Sequence, residues 1–312
     1  MSAVFLTGGF ALTITARVIA DFGADYQIED GPVTRRAVAR RCDPAVGDWV
    51  AVEGSFIVEV LPRRTVFSRR AAGEENREQV LAANVDVAFV VAAATDVNER
   101  RLERYLTIAW QSGATPVVVI TKADLVELVE PPAVPAYLIV TSSVTGQGLA
   151  EVSEHLRPDR TGVMLGPSGA GKSSLLNALV GVEVMPTREV HRSGEGRHMT
   201  SHRQLVRLPG GGAIIDTPGL REAQLWAGEE ALDNVFADVE EAALRCRFRD
   251  CAHDSEPGCA VKADIDPARL RSYRKLQREL RAVAAKTDAR IRIEERKKWK
   301  HIAMEVRSRI RP

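Results

Sequence analysis

The chain has 312 residues, 45% of them hydrophobic and 27% charged, which suits a globular protein of two or three modules and excludes a disordered or fibrous one. No run of about 18 uninterrupted apolar residues occurs, and residues 1–20 carry no basic leader, so neither a membrane span nor a signal peptide is expected and the protein is read as cytoplasmic. The net charge of +1 hides an asymmetry: residues 266–312 hold 16 Lys+Arg against 6 Asp+Glu, and the remainder 27 against 36. A basic tail on an acidic body suits a polyanionic partner; the plainer reading is a solvated, charge-rich helix.

In chain order, residues 13–70 read as all-β. Short alternating runs at 13–19, 26–29, 48–53 and 57–61 are separated by turn signals at Asp30-Gly31-Pro32, Gly47-Asp48 and Glu53-Gly54. Four or five strands in under 70 residues suit a small closed barrel such as an OB-fold. Arg35, Arg36, Arg40, Arg41, Arg63, Arg64, Arg69 and Arg70 make it locally basic, and Trp49 reads as a core residue rather than a stacking platform. Cys42 stands alone and reads as a small buried hydrophobe.

Residues 69–79 are polar and read as a linker, after which the pattern becomes α/β. Apolar runs at 85–91, 116–120, 136–140, 162–165, 204–208 and 213–215 predict about six strands, with helices over 99–111 (stopped by Gly113) and 172–179. Strands alternating with helices predict a parallel sheet covered on both faces. Residues 229–244 read as a helix, a Cys/His cluster follows, and a long helical tail runs from Pro267.

Gly166-Pro167-Ser168-Gly169-Ala170-Gly171-Lys172-Ser173 fits the phosphate-loop pattern in full, after a strand and at the start of a helix, and Ser174 continues it. Its glycines let backbone N–H groups face phosphates, and the helix N-terminus adds positive potential. Lys172 is placed to reach the β- and γ-phosphates and Ser173 to ligate Mg²⁺. Downstream, the apolar strand Ile214-Ile215 ends in Asp216-Thr217-Pro218-Gly219, with Asp216 suited to an outer Mg²⁺ contact and the Gly219 N–H to the γ-phosphate.

Thr121-Lys122-Ala123-Asp124 follows the 116–120 strand, where GTPases usually carry Asn-Lys-x-Asp. The Asp124 carboxylate would accept from guanine N1–H and N2–H₂; with adenine it would be left unpaired, which costs about 1–3 kcal/mol or more. The Lys122 stem can lie over the base, and Thr121 stands in place of Asn. Thr141-Ser142-Ser143 is similar to the Ser-Ala-x loop whose backbone contacts guanine O6, with Ser143 for Ala. Base recognition therefore precedes the phosphate loop, the reverse of the ordinary order, as in a circular permutation. The second switch, the segment after Asp216, then feeds directly into the C-terminal module, so the γ-phosphate state is in a position to move it.

Between the phosphate loop and Asp216 lies the polar run 194–201, in which Thr200 is the candidate for Mg²⁺ and γ-phosphate and His198 the candidate for placing water. His191 and His202 read as structural or solvated. Ras-like enzymes carry a Gln after Asp-x-x-Gly; here Leu220 stands there, so either hydrolysis is slow or another residue positions the water. Cys246, Cys251, His253 and Cys259 fall within fourteen residues and form a Cys₃His set suited to a closed structural Zn²⁺ in a reducing compartment.

These residues resemble the circularly permuted bacterial ribosome small-subunit-dependent GTPase A family. The resemblance spans roughly 14–281. It rests on Gly47-Asp48-Trp49-Val50, Ala83-Asn84-Val85-Asp86, the permuted motif order, residues 166–174 and 196–200, and the segments from Cys246 to His253 and Glu256 to Val261. It implies an N-terminal OB-fold RNA-binding barrel (1–75), a circularly permuted P-loop GTPase domain (76–224) and a mainly helical zinc-binding domain with a basic tail (225–312). It further implies binding of the small ribosomal subunit with its 16S rRNA late in maturation, GTP hydrolysis to GDP stimulated by that subunit, and release on hydrolysis. The family's catalytic His matches His198. Met199 and Ser201 interrupt the family's usual threonine run, leaving Thr200 as its one Thr. A monomer is expected. The rival readings are a nucleotide-gated rRNA-binding switch with little turnover, which Leu220 favours, and a P-loop ATPase or kinase, against which Lys122 and Asp124 argue.

Overall fold

The computed structural model describes residues 13–70, 78–126, 131–157, 159–184, 203–216, 230–254 and 256–287. These fall into two compact units, one holding the described residues of 1–69 and 79–223, the other those of 70–78 and 224–312. Thr200, His198, Gly219, Leu220, Met199, Ser201, His191, His202 and the end of the basic tail lie outside the described residues.

The first unit opens with a five-stranded barrel: β1 (Thr13–Asp21), β2 (Tyr26–Asp30), β3 (Val33–Ala39), β4 (Trp49–Glu53) and β5 (Phe56–Val60). The order β1-β2-β3-β5-β4 is closed by a β1–β4 ladder, and only β3–β5 is parallel within it. This is the OB-fold arrangement expected from the strand spacing. Alternation sends Ala16, Val18, Tyr26, Ile28, Ala37, Val50, Val52 and Ile57 inward. Strand β3 has no apolar run because only Ala37 is fully buried on it, and it is not among the strand runs read from the sequence. Trp49 corrects its expectation: it points outward and is 43% exposed.

The polar stretch 69–79 is not all linker. Its ends belong to β6 (Val66–Arg70) and β7 (Glu78–Ala83), which pair with one another. Six further strands follow: β8 (Val87–Ala93), β9 (Thr115–Thr121), β10 (Tyr137–Val140), β11 (Thr161–Leu165), β12 (Arg203–Arg207) and β13 (Ala213–Asp216). Their order is β10-β9-β8-β11-β13-β12, parallel except for β12, which runs antiparallel to β13. That exception departs from the expected parallel sheet: β12 and β13 are joined by the short run Leu208-Pro209-Gly210-Gly211-Gly212, too short for a crossover helix. Among the described residues of this unit are also the α-helices α1 (Glu99–Ser112), α2 (Leu149–Glu154) and α3 (Lys172–Val180). Asn98 caps α1 by accepting from the Arg101 N–H at 3.1 Å, worth about 1 kcal/mol. Gly113 in the left-handed region ends it. Val87, Phe89, Val117, Val119, Leu156, Leu175 and Ile214 are buried in the core beside the sheet, and each side chain contributes about 1.5–3 kcal/mol on burial.

Barrel and sheet are continuous, because β1 pairs antiparallel with β12 through Ala20↔Gln204 and Asp21↔Arg203. Buried and partly buried polar groups lie on both sides of the join and across it. Asn84 donates to the Gly47 carbonyl at 3.1 Å and accepts from the Arg64 N–H at 3.0 Å. Asp48, fully buried, takes a two-pronged ion pair from Arg63 at 2.8 and 2.7 Å. Asp86 accepts from the Thr161 N–H at 2.8 Å, and Arg17 reaches the Thr161 hydroxyl at 2.6 Å. Burial lowers the Arg17 pKa, with Arg207 acting in the same direction.

The second unit contains α4 (Glu230–Val235), α5 (Ala237–Ala243), α6 (Ala260–Asp264) and α7 (Pro267–Thr287). The single helix expected over 229–244 is broken at Phe236, whose backbone leaves the helical region (φ −119°, ψ 40°) while its ring is fully buried against Tyr273. Arg269 forks onto Asp238 at 2.5 and 2.6 Å and donates to the Val235 carbonyl. Asp266 caps α7, accepting from the Ala268 N–H at 2.7 Å, with Pro267 in the first turn where its missing N–H costs nothing. Among the described residues no helix is long and apolar enough to cross a membrane.

Candidate functional site

The phosphate loop leaves the C-terminal end of β11, the strand held between β8 and β13, and enters α3. Two of its glycines are required by geometry. Gly166 has φ +145°, and a Cβ there would lie 2.3 Å from the Val91 carbonyl oxygen. Gly171, the residue before α3, has φ +88°, and a Cβ would lie 2.9 Å from Thr121 Oγ1. The first N–H groups of α3, from Lys172, Ser173 and Ser174, have no carbonyl four residues back within the helix and present a positive end to an anion. Lys172 Nζ donates to the Gly166 and Pro167 carbonyls at 2.7 and 2.6 Å, so its ammonium is held over the loop formed by Gly166, Pro167, Ser168, Gly169 and Ala170.

The base loops leave the ends of β9 and β10 on the same edge of the sheet. Thr121 is buried, and its hydroxyl donates to the Ala170 carbonyl at 2.6 Å. Lys122, in the left-handed region (φ 60°), extends its Nζ to the Gly169 carbonyl at 2.8 Å. Asp124 is exposed, and its carboxylate accepts from the fully buried Ser142 hydroxyl at 2.5 Å. Ser142 Oγ also accepts from the Val144 and Thr145 N–H groups, each at 3.2 Å, which turns the loop carrying Ser143. The Ala123 N–H donates to the Thr141 carbonyl at 3.1 Å, locking the two base loops together. Thus the structure brings residues 121–124, 142–143 and 166–174 into one site, although the first two groups precede the third in the chain.

Asp216 ends β13, next to β11, and pairs across the ladder with Gln204. The Ser173 hydroxyl and the Asp216 carboxylate are both oxygen donors, the kind a hard cation such as Mg²⁺ takes. Sequence reasoning did not identify the Ser142–Asp124 hydrogen bond or the Thr121–Ala170 one, because both pair residues 18 or more positions apart.

In the second unit the metal-ligand set is assembled. The donor atoms of Cys246, Cys251, His253 and Cys259 lie within 4.8 Å of one another, and it is the one cluster of that kind among the described residues. His253 Nδ1 stands 3.6 Å from both Cys246 Sγ and Cys259 Sγ, which are themselves 3.9 Å apart. A tetrahedral Zn²⁺ with ordinary Zn–S and Zn–N bonds needs edges of about 3.5–3.8 Å, close to the spacing of Cys246, His253 and Cys259, and the Cys₃His donor types suit that ion. Backbone N–H groups of Val261 and Ala260, at the start of α6, lower the Cys246 thiol, whereas burial pushes Cys251 up to about 11. A divalent cation would deprotonate both. Glu256 accepts from the Ala252 and Asp254 N–H groups at 2.9 and 2.8 Å, bracketing His253.

Comparison with known proteins agrees with this geometry. The profile described as RsgA GTPase matches residues 60–226, and one described as 50S ribosome-binding GTPase matches 161–297. A small ribosomal subunit biogenesis GTPase RsgA of Streptomyces avermitilis is 48% identical over 277 residues, covering 81% of this chain and 74% of that one. A protein of Oceanobacillus iheyensis, small ribosomal subunit biogenesis GTPase RsgA 1, is 41% identical over 296 residues, covering 88% and 84%. The crystal structure of YjeQ from Thermotoga maritima shares the fold at TM-score 0.61 and 24% identity, over 86% of this chain and 99% of that one. YloQ, described as a circularly permuted GTPase, does so at TM-score 0.59 and 24% identity, over 86% and 95%. The order in which this chain visits its sheet, β8-β9-β10 before β11, is the same permutation stated in strands. The family resemblance read from the motifs holds over most of the chain, and this protein belongs to the RsgA GTPase family.

Proposed function

We propose that the chain is a GTPase of small ribosomal subunit biogenesis that binds the subunit late in its maturation, hydrolyses GTP to GDP and phosphate with stimulation by the subunit, and is released afterwards. The observation that supports the nucleotide half is the tie of base loop to phosphate loop, in which Thr121 donates to the Ala170 carbonyl and Lys122 to the Gly169 carbonyl. The relatives' printed names carry the ribosomal half.

In this reading Asp124 selects guanine, with Ser142 orienting its carboxylate and the backbone of Ser143 meeting the base. Residues 166–174 cradle the phosphates, and Lys172 neutralises charge as the bond to the γ-phosphate breaks. Ser173, Asp216 and Thr200 would hold Mg²⁺, which would supply neutralisation of the charge on the phosphates. Gly219 donates to the γ-phosphate, and His198 orients the attacking water that Leu220 is unable to place. The Cys₃His set holds one structural Zn²⁺. The modules are 1–75 for rRNA, 76–224 for GTP, and 225–312 for zinc and, through the basic tail, 16S rRNA. The protein works as a monomer in the cytoplasm. Leu220 favours one alternative, a nucleotide-gated rRNA-binding switch with little turnover.

Phosphate release from GTP and from ATP, each with and without purified small subunits, tests the proposal. Slow release from GTP alone, strongly accelerated by subunits and absent with ATP, is the expected result. Equal rates with and without subunits would remove the ribosomal partner, and equal use of ATP would remove the base-site assignment. Binding to the subunit should weaken steeply with salt; a flat response would contradict phosphate-dominated contact.

A further inference from the structure

The barrel is hydrogen-bonded to the nucleotide sheet at β12. In sequence, β12 begins at Arg203, directly after the segment carrying His198 and Thr200. At its first residues β12 faces the barrel on one side and the magnesium carboxylate on the other: Gln204 pairs with Ala20 of β1 and with Asp216 of β13. Ala20 and Asp216 are therefore two strand spacings apart, roughly 10 Å.

Both ends of β12 are pinned to the barrel by charge. Arg203 pairs with Asp21 at 3.4 Å, with both side chains only 16% exposed, and it also donates to the Val80 carbonyl. Arg207 pairs with Glu29 of β2. The partly buried Arg203–Asp21 pair holds geometry in a way that the Arg207–Glu29 pair, with Arg207 48% exposed, does not. Arg17 makes a second connection from barrel to nucleotide site, through Thr161 at the start of the strand that ends in the phosphate loop.

We propose that the β1–β12 seam is a relay between the barrel and the nucleotide site, with Arg203 and Arg207 as positioning residues that set β12, and through it Asp216, according to what the barrel holds. Such coupling is reciprocal: if barrel engagement changes affinity at the nucleotide site, exchange of GDP for GTP changes the barrel's affinity for its partner by the same factor, and the relay carries that change through β1. The proposal rests on the reading above for what engages the barrel. Its first test does not require that partner.

Hydrogen exchange of the full chain is compared with GDP and with a non-hydrolysable GTP analogue, both with Mg²⁺. Amides of β1 around Ala20 and Asp21 are expected to differ about fivefold or more in exchange rate between the two states. Arg203→Ala and the milder Asp21→Asn are expected to abolish the difference without moving the thermal midpoint by more than a few degrees. The charge exchange Asp21→Arg with Arg203→Asp is expected to restore it. Should Arg203→Ala fail to fold, Asp21→Asn decides. Equal β1 exchange in the two nucleotide states would overturn the relay. So would a nucleotide response that survives both single variants, or a charge exchange that fails to restore it. In a second arm, Arg203→Ala is expected to reduce subunit-stimulated turnover about tenfold while unstimulated turnover stays within about twofold. If the β1 response is present but subunits stimulate nothing, the relay stands and the ribosomal reading falls. If subunits stimulate the variant as fully as the wild type, the relay falls and the ribosomal reading stands.

Discussion

The Thr121 hydroxyl hydrogen-bonds the Ala170 carbonyl across 49 residues of sequence, at 2.6 Å and out of contact with water. The residue that departs from the usual Asn-Lys-x-Asp pattern thus faces the phosphate loop and ties the two halves of the site together. Thr121→Val keeps the shape and removes the donor, leaving a buried carbonyl short of a partner, which costs about 1–3 kcal/mol. Affinity for GTP and GDP is expected to fall roughly tenfold, measured with a fluorescent guanine nucleotide. The preference for guanine over adenine should persist, since Asp124 is untouched.

Asp124→Asn tests base selection directly. The carboxylate accepts two guanine donors, whereas a carboxamide NH₂ would meet them as a donor and would suit the 2-oxo group of xanthine. GTP affinity is expected to drop by about 10²-fold with a corresponding gain for XTP in competition binding. Unchanged GTP affinity would remove Asp124 from the site.

His198→Ala is expected to lower subunit-stimulated kcat by about 10²-fold with GTP affinity within about twofold, because water positioning is a transition-state contribution. Equal loss in affinity and turnover would instead mark a binding role.

The Cys₃His set is expected to bind one Zn²⁺ per chain, measured by elemental analysis. Binding energies for such sites are on the order of 10–16 kcal/mol, comparable to the folding energy of a small module. Cys246→Ser or chelation is therefore expected to reduce helicity in circular dichroism by an amount consistent with loss of the second unit's helices. GTP binding by the first unit should be retained.

Asp238 provides an acid-sensitive contact in that same unit. Burial pushes its carboxyl up, but the two hydrogen bonds from Arg269 outweigh this and hold it below the ordinary carboxylate range. A lowered folded-state value contributes stability that is present above about pH 4 and is lost as pH falls through that lower value. Thermal midpoints of the wild type are expected to decline more steeply on acidification than those of Asp238→Asn, with the two curves converging at low pH.

Much of the site was legible because its elements are local. The phosphate loop, the Thr121–Asp124 and Thr141–Ser143 loops and the Cys/His spacing are contiguous motifs, each placed by a strand or turn whose apolar pattern is itself local. Permutation was legible for the same reason, since motif order is a property of sequence. The alternating residues of β1, β2, β4 and β5 likewise announced a barrel, with its core at Ala16, Val18, Ile28 and Val50.

What the tertiary structure alone decided are the relationships whose partners are far apart in sequence. Strand β3 hides its pattern because one fully buried alanine is enough for a barrel wall, and Trp49 faces solvent because strand parity, rather than hydrophobicity, sets which way it points. The break at Phe236 lies within a sequence that reads as one helix, and burial against Tyr273 decides it. The ties Thr121–Ala170, Ser142–Asp124, Arg17–Thr161 and Asp21–Arg203 are set by which strands become neighbours, a choice made by the packing of the whole sheet. Residue types and spacing determined which chemistry the chain can perform; the neighbour order β11-β13-β12-β1 determined that its nucleotide site and its barrel share a single hydrogen-bonded sheet.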